Sequence, residues 1–142
     1  MSSHLGIMGF SLPAAIAAQL AAPEAAVVAI CGDGGFQMVA GEFGTAVQHG
    51  LPITVVVFNN GVLQNVRAQQ DRPYGTDLAN PDLVTLARAY GAEGVVADAG
   101  ADLAGIVEAA LRPRRGPLLV DLRVDPGLHF PVSRWEHYAP VR

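Results

Sequence analysis

Two short polar clusters interrupt an otherwise apolar chain, and each follows a run rich in β-branched residues. The first, Gly32-Asp33-Gly34-Gly35, follows AVVAIC; the second, Asn59-Asn60-Gly61, follows ITVVVF. Glycines flanking a single residue let backbone N–H groups approach an anion, and a following helix would add its N-terminus. Asp33 alters that reading, because a carboxylate beside a phosphate is repelled by roughly 4 kcal/mol at about 4 Å and an effective dielectric typical of protein surfaces. A divalent cation between them reverses the sign. Mg²⁺ is the natural choice, since it is held by one or two carboxylates together with phosphate oxygens. The first cluster therefore reads as one side of a metal-bridged diphosphate site, with Asp33 as a ligand. Asn60 offers a neutral amide oxygen, and Gly61 lets the chain turn so that a carbonyl such as that of Val62 faces the same ion. Taken alone, Asn-Gly is an ordinary turn signal. Two polar clusters at the ends of two strands favour a shared site. A dinucleotide fingerprint would need a glycine where Gln37 stands, so that alternative fails.

The elements that must position these clusters alternate in type. Segments 26–31, 53–58 and 118–124 are short apolar runs bounded by Gly, Pro or Asp, and 94–97 is a weaker one. Continuous rather than alternating apolarity predicts strands covered on both faces. Between them, 11–21 opens with a capping-type Ser11 and a Pro in its first turn. A helix over 37–49 is closed by Gly50. Asn80-Pro81-Asp82 signals a further helix start, with the helix running to Tyr90 before Gly91. A helix over 101–111 carries Leu103, Ile106, Val107 and Ala110 on one stripe. Such alternation predicts an α/β fold, a three-layer parallel sheet with helices on both faces. Ligands of open α/β sheets bind beyond the carboxyl ends of the strands, where both clusters fall.

Composition narrows the function classes. The 142 residues suit one domain, and the formal net charge of −4 disfavours nucleic acid as a partner. Arg112, Arg114 and Arg115 fall at a predicted helix end, where cations complement the dipole. Cys31 is the only cysteine, so no disulfide framework or thiolate metal cluster is expected, and it reads as a small buried hydrophobe. No apolar run approaches the roughly 20 residues of a membrane span, no signal peptide is evident, and a cytoplasmic location is the expectation.

The order Gly32-Asp33-Gly34, an intervening helix and strand, then Asn59-Asn60 resembles the signature of thiamin-diphosphate-dependent enzymes. The surrounding GDGGFQMVAGEFGTAVQHGLPITVVVFNNG is most similar to acetolactate synthase and related decarboxylases and carboligases. The likeness extends upstream through Gly6-Ile7-Met8-Gly9-Phe10 and downstream through Asn80-Pro81-Asp82 and Gly116-Pro117 to Val124. The resemblance implies a Rossmann-like thiamin-diphosphate-binding fold over 1–126, with Mg²⁺ held by Asp33, Asn60 and the Val62 carbonyl. It implies that Gly34 and Gly35 hold diphosphate oxygens, with Gly61 in the same loop. It further implies that the Gly6 carbonyl meets the cofactor's 4′-amino group, and that Met8 is the wedge that bends the cofactor. The implied chemistry is decarboxylation of a small 2-oxo acid, with the branch that follows left open.

Enzymes of that family activate the cofactor with a glutamate carried by a separate pyrimidine-binding domain or subunit. Neither Glu24 nor Glu42 occupies that position, so no catalytic residue is assigned, and the resemblance implies a homo- or hetero-oligomer. Only five residues precede Gly6, so the sheet is expected to lack its first strand and helix, and truncation is the expected reason. The segment 127–142, with Trp135, Tyr138 and Phe130, is expected to be an aromatic docking tail. The alternative reading is a non-catalytic fragment or assembly piece of such an enzyme, with weak or no turnover.

Overall fold

The computed structural model describes residues 6–98 and 103–127. Six helices and four strands alternate in these residues: α1 (Ser11–Ala21), β1 (Val28–Gly32), α2 (Asp33–Met38), α3 (Glu42–Gln48), β2 (Thr54–Asn59), α4 (Gln64–Arg67), α5 (Leu83–Ala89), β3 (Glu93–Asp98), α6 (Leu103–Leu111) and β4 (Leu118–Arg123). The strands form one sheet in the order β1-β2-β4-β3, and every pair is parallel. All four expected strands are present, with ends displaced by one or two residues.

Crossover handedness explains the layers. The path from β1 through β2 to β3 moves one way across the sheet, and the return from β3 to β4 moves back. Right-handed crossovers in opposite directions must lie on opposite faces. Accordingly α1, α2, α3 and α5 cover one face, where Leu12, Ile16, Phe36, Phe43, Val55 and Leu119 form the larger core. On the other face α6 sets Ile106 and Ala109 against Val56, Leu118, Val120 and Leu122. Strands β2 and β4 are thus buried from both sides, as their unbroken apolar runs require. At the edge, β1 leaves Val28 and Ile30 exposed on the α6 side.

Three local expectations are corrected. The helix expected over 37–49 starts four residues earlier, at Asp33, and is two helices rather than one. Val39 leaves the helical region at φ −131°, and the turn after it is held by i→i+3 bonds, Glu42 N–H to the Val39 carbonyl and Phe43 N–H to the Ala40 carbonyl. Those tighter bonds reorient the chain so that Phe36 and Phe43 are both fully buried and meet edge to face at 6.3 Å. Second, Ser11 does not cap α1. Phe10 is already helical and its carbonyl accepts from Ala14 N–H at 3.1 Å, which puts Ser11 inside the helix. Third, Val107 is exposed, and Ala109 rather than Val107 packs beside Ile106 against Val56, Leu118, Val120 and Leu122. The side chain of Leu103 lies outside the described residues.

Other local signals hold. Asp82 caps α5 by accepting from Thr85 N–H at 2.8 Å, which keeps its carboxyl below the usual carboxylate range. Gly50 and Gly91 follow α3 and α5 with φ of 59° and 84°, the left-handed closure that only glycine takes without strain. Arg114 donates to the Ala109 carbonyl at 2.7 Å and the Ala110 carbonyl at 3.3 Å, a cation on the C-terminal end of α6. His49 is exposed. The tail from residue 128 onward and His4 lie outside the described residues.

Phe43 anchors this packing, with Phe36 on one side and Tyr90 on the other, its ring centre 6.0 Å from that of Tyr90. Phe43→Ala is expected to lower stability by about 3–5 kcal/mol, the usual cost of removing a buried phenyl group. Urea unfolding followed by circular dichroism checks it, and a loss under about 1 kcal/mol would show that the core closes over the gap.

Candidate functional site

At the carboxyl end of β1 the chain passes from Gly32 directly into α2, so Asp33 is the first helical residue and Gly34 and Gly35 lie in the first turn. These glycines are therefore not a loop ahead of a helix but the helix start itself. First-turn N–H groups have no acceptor within the helix, and a carboxylate there sits at the positive end of the dipole. Asp33 is 3% exposed, and its two oxygens are held from three directions. Oδ1 accepts from Gly34 N–H at 2.8 Å. Oδ2 accepts from Gly61 N–H at 2.8 Å and from Asn80 Nδ2 at 2.6 Å.

Gly61 belongs to the second cluster, so the two polar motifs are hydrogen-bonded to each other. Its φ of 68° turns the chain out of β2 and aims its N–H at Asp33. Asn60 Oδ1 accepts from Val62 N–H at 3.0 Å, which tightens the same turn. The segment is then fastened by residues 76–78. Val62 and Asp77 form an isolated antiparallel bridge, Leu63 N–H donates to the Thr76 carbonyl at 2.8 Å, and Leu78 N–H donates to the Gly61 carbonyl at 2.8 Å. Arg67 on α4 reaches Asp77 at 3.2 Å.

A cavity of about 600 Å³ opens beside this knot. It is lined by Gly6, Met8, Asp33, Gly34, Gly35, Asn60 and Val62, which are all but one of the residues that the sequence singles out. Gly61 is the exception and acts through its hydrogen bond to Asp33. A β-carbon on Gly34 would lie 2.5 Å from Leu63 Cδ2 and 3.3 Å from Met8 Cε, so any larger residue there would push those two side-chain ends aside. Gly6 has φ 55°, and Met8 is partly exposed on the lip of the cavity. Among the described residues, Asp33 is the carboxylate in the lining; Glu42 instead accepts from the Thr45 hydroxyl at 3.2 Å on α3.

Four residues to which sequence reasoning gave no role in the site complete it. Asn80 Nδ2 bonds Asp33 and also donates to Asn59 Oδ1 at 2.7 Å. Gln37 Nε2 donates to Asn80 Oδ1. Asn59 Nδ2 in turn donates to Asp121 Oδ1 at 2.8 Å. Asn80-Pro81-Asp82 is read from sequence as a helix start because the cap at Asp82 is local. Asp121 did carry a signal: a carboxylate inside LLVDLRV must find donors if it is buried, and it is 5% exposed.

Cys31 lines the same cavity beneath Asp33. Burial, reinforced by the nearby Asp33 charge, pushes its thiol up to about 12, and Sγ donates to the Val56 carbonyl at 4.0 Å. The thiol is therefore protonated at neutral pH and is no nucleophile. Iodoacetamide is expected to modify the folded chain much more slowly at pH 8 than a free cysteine, with the rate still rising above pH 10. Mass spectrometry at a series of pH values checks this, and a rate that levels off near pH 9 would contradict it.

Comparison with known proteins agrees with this geometry. The family model described as "Thiamine pyrophosphate enzyme, C-terminal TPP binding domain" matches residues 1–122. The chain is 40% identical over 141 residues to the acetolactate synthase isozyme 3 large subunit of Escherichia coli, covering 93% of this chain and 25% of that protein. It is 41% identical over 133 residues to acetolactate synthase of Mycobacterium leprae, covering 87% of this chain and 21% of that protein. The thiamine diphosphate-dependent 4-hydroxybenzoylformate decarboxylase of Rhodococcus jostii RHA1 superposes with a TM-score of 0.75 at 30% identity, over 83% of this chain and 23% of that one. The chain thus spans a quarter or less of the length of these relatives. With the glycine-flanked aspartate at the end of β1 tied to the asparagine turn at the end of β2, and residues 1–122 matched by that family model, the chain belongs to the C-terminal thiamine-pyrophosphate-binding domain family of thiamine pyrophosphate enzymes.

Proposed function

We propose that this chain binds the diphosphate end of thiamin diphosphate through Mg²⁺, as the cofactor-holding part of a 2-oxo-acid decarboxylase or carboligase similar to acetolactate synthase. The observation that carries this reading is the donor set around Asp33. A carboxylate has about four lone-pair positions and a carbonyl or amide oxygen two. Three of the Asp33 positions are used by Gly34, Gly61 and Asn80. Asn60 Oδ1 accepts one bond from Val62 N–H, and the Val62 carbonyl accepts one from Gln64 N–H at 2.8 Å. By this count each of the three groups keeps one acceptor position, and all three residues line one cavity. Hard oxygen donors with a single carboxylate suit Mg²⁺, which takes its remaining ligands from phosphate and water.

In this reading Asp33, Asn60 and the Val62 carbonyl hold the ion, and Gly34 and Gly35 let the diphosphate approach the first turn of α2, where Gly34 N–H is already bonded to Asp33 Oδ1 and Gly35 N–H would meet a diphosphate oxygen. Gly6 and Met8 lie on the same cavity, where the Gly6 carbonyl would meet the aminopyrimidine and Met8 would support the bent cofactor. When bound, the cofactor supplies the carbon nucleophile and electron sink for 2-oxo-acid decarboxylation, and the protein supplies orientation. The half-buried Cys31 thiol, protonated at neutral pH, adds no competing nucleophile to the cavity. A partner domain or subunit would bring the activating glutamate, within a homo- or hetero-oligomer. The lobe 1–126 would be the cofactor domain, with 127–142 docking against that partner. No described helix is long and apolar enough to cross a membrane, and the single cysteine fits a reducing cytoplasmic setting.

Calorimetric titration of thiamin diphosphate into the chain, with and without MgCl₂, tests the reading. Binding is expected only with the metal, and Asp33→Asn and Asp33→Ala are expected to weaken it by about ten-fold or more, the size of a lost charged contact. Metal-independent binding, or none in a folded sample, would overturn the proposal and leave a non-catalytic assembly piece.

A further inference from the structure

Asn80 lies on no element and is not among the residues that line the cavity, yet it touches the aspartate proposed to hold the metal. Its Nδ2 donates to Asp33 Oδ2 at 2.6 Å and to Asn59 Oδ1 at 2.7 Å, and its Oδ1 accepts from Gln37 Nε2. Asn59 Nδ2 continues to Asp121 Oδ1 at 2.8 Å. Two buried carboxylates are therefore joined by two amides. Ionised carboxylates only accept, so both ends of the chain have a set polarity. Asn80 must turn its NH₂ group toward Asp33, and Asn59 must turn its NH₂ group toward Asp121. The second Nδ2 proton of Asn80 then meets the only acceptor Asn59 has left on its side chain. One head-to-tail arrangement satisfies every group, and neither amide can flip without setting donor against donor or acceptor against acceptor.

The consequence falls on Asp33. The terminal torsion of an aspartate is broad and nearly two-fold, so a carboxylate held only through Oδ1 could swing. Gly61 N–H and Asn80 Nδ2 together fill both positions of Oδ2, and Gly34 N–H takes one position of Oδ1. The position left open is on Oδ1. We propose that Asn80 is a positioning residue: it locks the plane of the Asp33 carboxylate so that Oδ1 is the oxygen offered to the divalent cation, and the Asn59–Asp121 bond locks Asn80 in turn. This rests on the Mg²⁺ reading for its purpose, while the lock itself is a property of the metal-free chain.

The test has two arms on the full chain. In ¹⁵N-labelled, metal-free protein, the side-chain NH₂ protons of Asn80 and Asn59 should exchange with water at least about ten-fold more slowly than those of exposed Asn65, as expected for half-buried amides whose protons are bonded. Asp121→Asn should speed exchange at Asn80, two bonds away. Free exchange at Asn80 overturns the lock whatever the metal does. In the second arm, Mn²⁺ is the probe, titrated by electron paramagnetic resonance at saturating thiamin diphosphate. Asn80→Ala should weaken Mn²⁺ binding about ten-fold. Asn59→Ala should weaken it less, and the double variant should match Asn80→Ala within about two-fold, because the two share one path. With Mn²⁺ saturating, thiamin diphosphate should bind Asn80→Ala within about two-fold of wild type, a separation that general damage to the fold would not produce. Unchanged Mn²⁺ affinity in Asn80→Ala, or strictly additive losses, overturns the inference. Wild-type protein with protected Asn80 protons and no Mn²⁺ binding would overturn the Mg²⁺ reading and leave the lock standing.

Discussion

The hydrogen bond from Gly61 N–H to Asp33 Oδ2 spans two strand ends and fastens the first turn of α2 to the loop leaving β2. A buried carboxylate is costly unless donors replace its lost water, and the surrounding backbone is arranged to provide them. Gly61 must turn left-handed to present its N–H, so β2 ends where it does and the chain reverses toward the cavity. That reversal needs its own support, which the bridge between Val62 and Asp77 gives. The same bridge brings residue 80 back over the strand ends, close enough for its amide to reach Asp33.

Sheet topology sets the stage for this one interaction. Parallel strands place all their carboxyl ends on one side, so clusters far apart in sequence open onto one edge. β1 and β2 are neighbours in register, with Gly32 opposite Phe58, which leaves Asp33 and the 59–61 cluster directly beyond paired residues. β4 follows on the other side of β2, placing Asp121 within reach of Asn59. The core beneath is built from closely packed aromatic and aliphatic side chains, which supports the site at its rim.

The site also shows how polarity is managed at low exposure. Cys31, two residues before Asp33, would be a second anion against the first, and burial keeps it protonated. Asp121 and Asp33 are kept apart by two intervening amides that serve both. The result, among the described residues, is a single carboxylate lining an apolar-lipped cavity, a layout suited to a cation shared with an anionic ligand.

Sequence alone determined what depends on near neighbours. The β-branched runs, the capping Asp82, the closing Gly50 and Gly91 and the Gly-Asp-Gly and Asn-Asn-Gly clusters act through bonds within a few residues, so they were legible and the fold class followed. Even the pairing of the two clusters could be inferred, because parallel strands leave their ends little choice. What tertiary structure alone decided lies in contacts between distant residues. The break between α2 and α3 exists because Phe36 and Phe43 must both face the core, a requirement that helix propensity does not express. Asn80 reads locally as part of a helix start, and only the return of the chain over the sheet places it 47 positions away against Asp33. Asp121 announced a need for partners without naming them, since which donors reach a buried carboxylate is settled by the order of strands and not by the residues on its own.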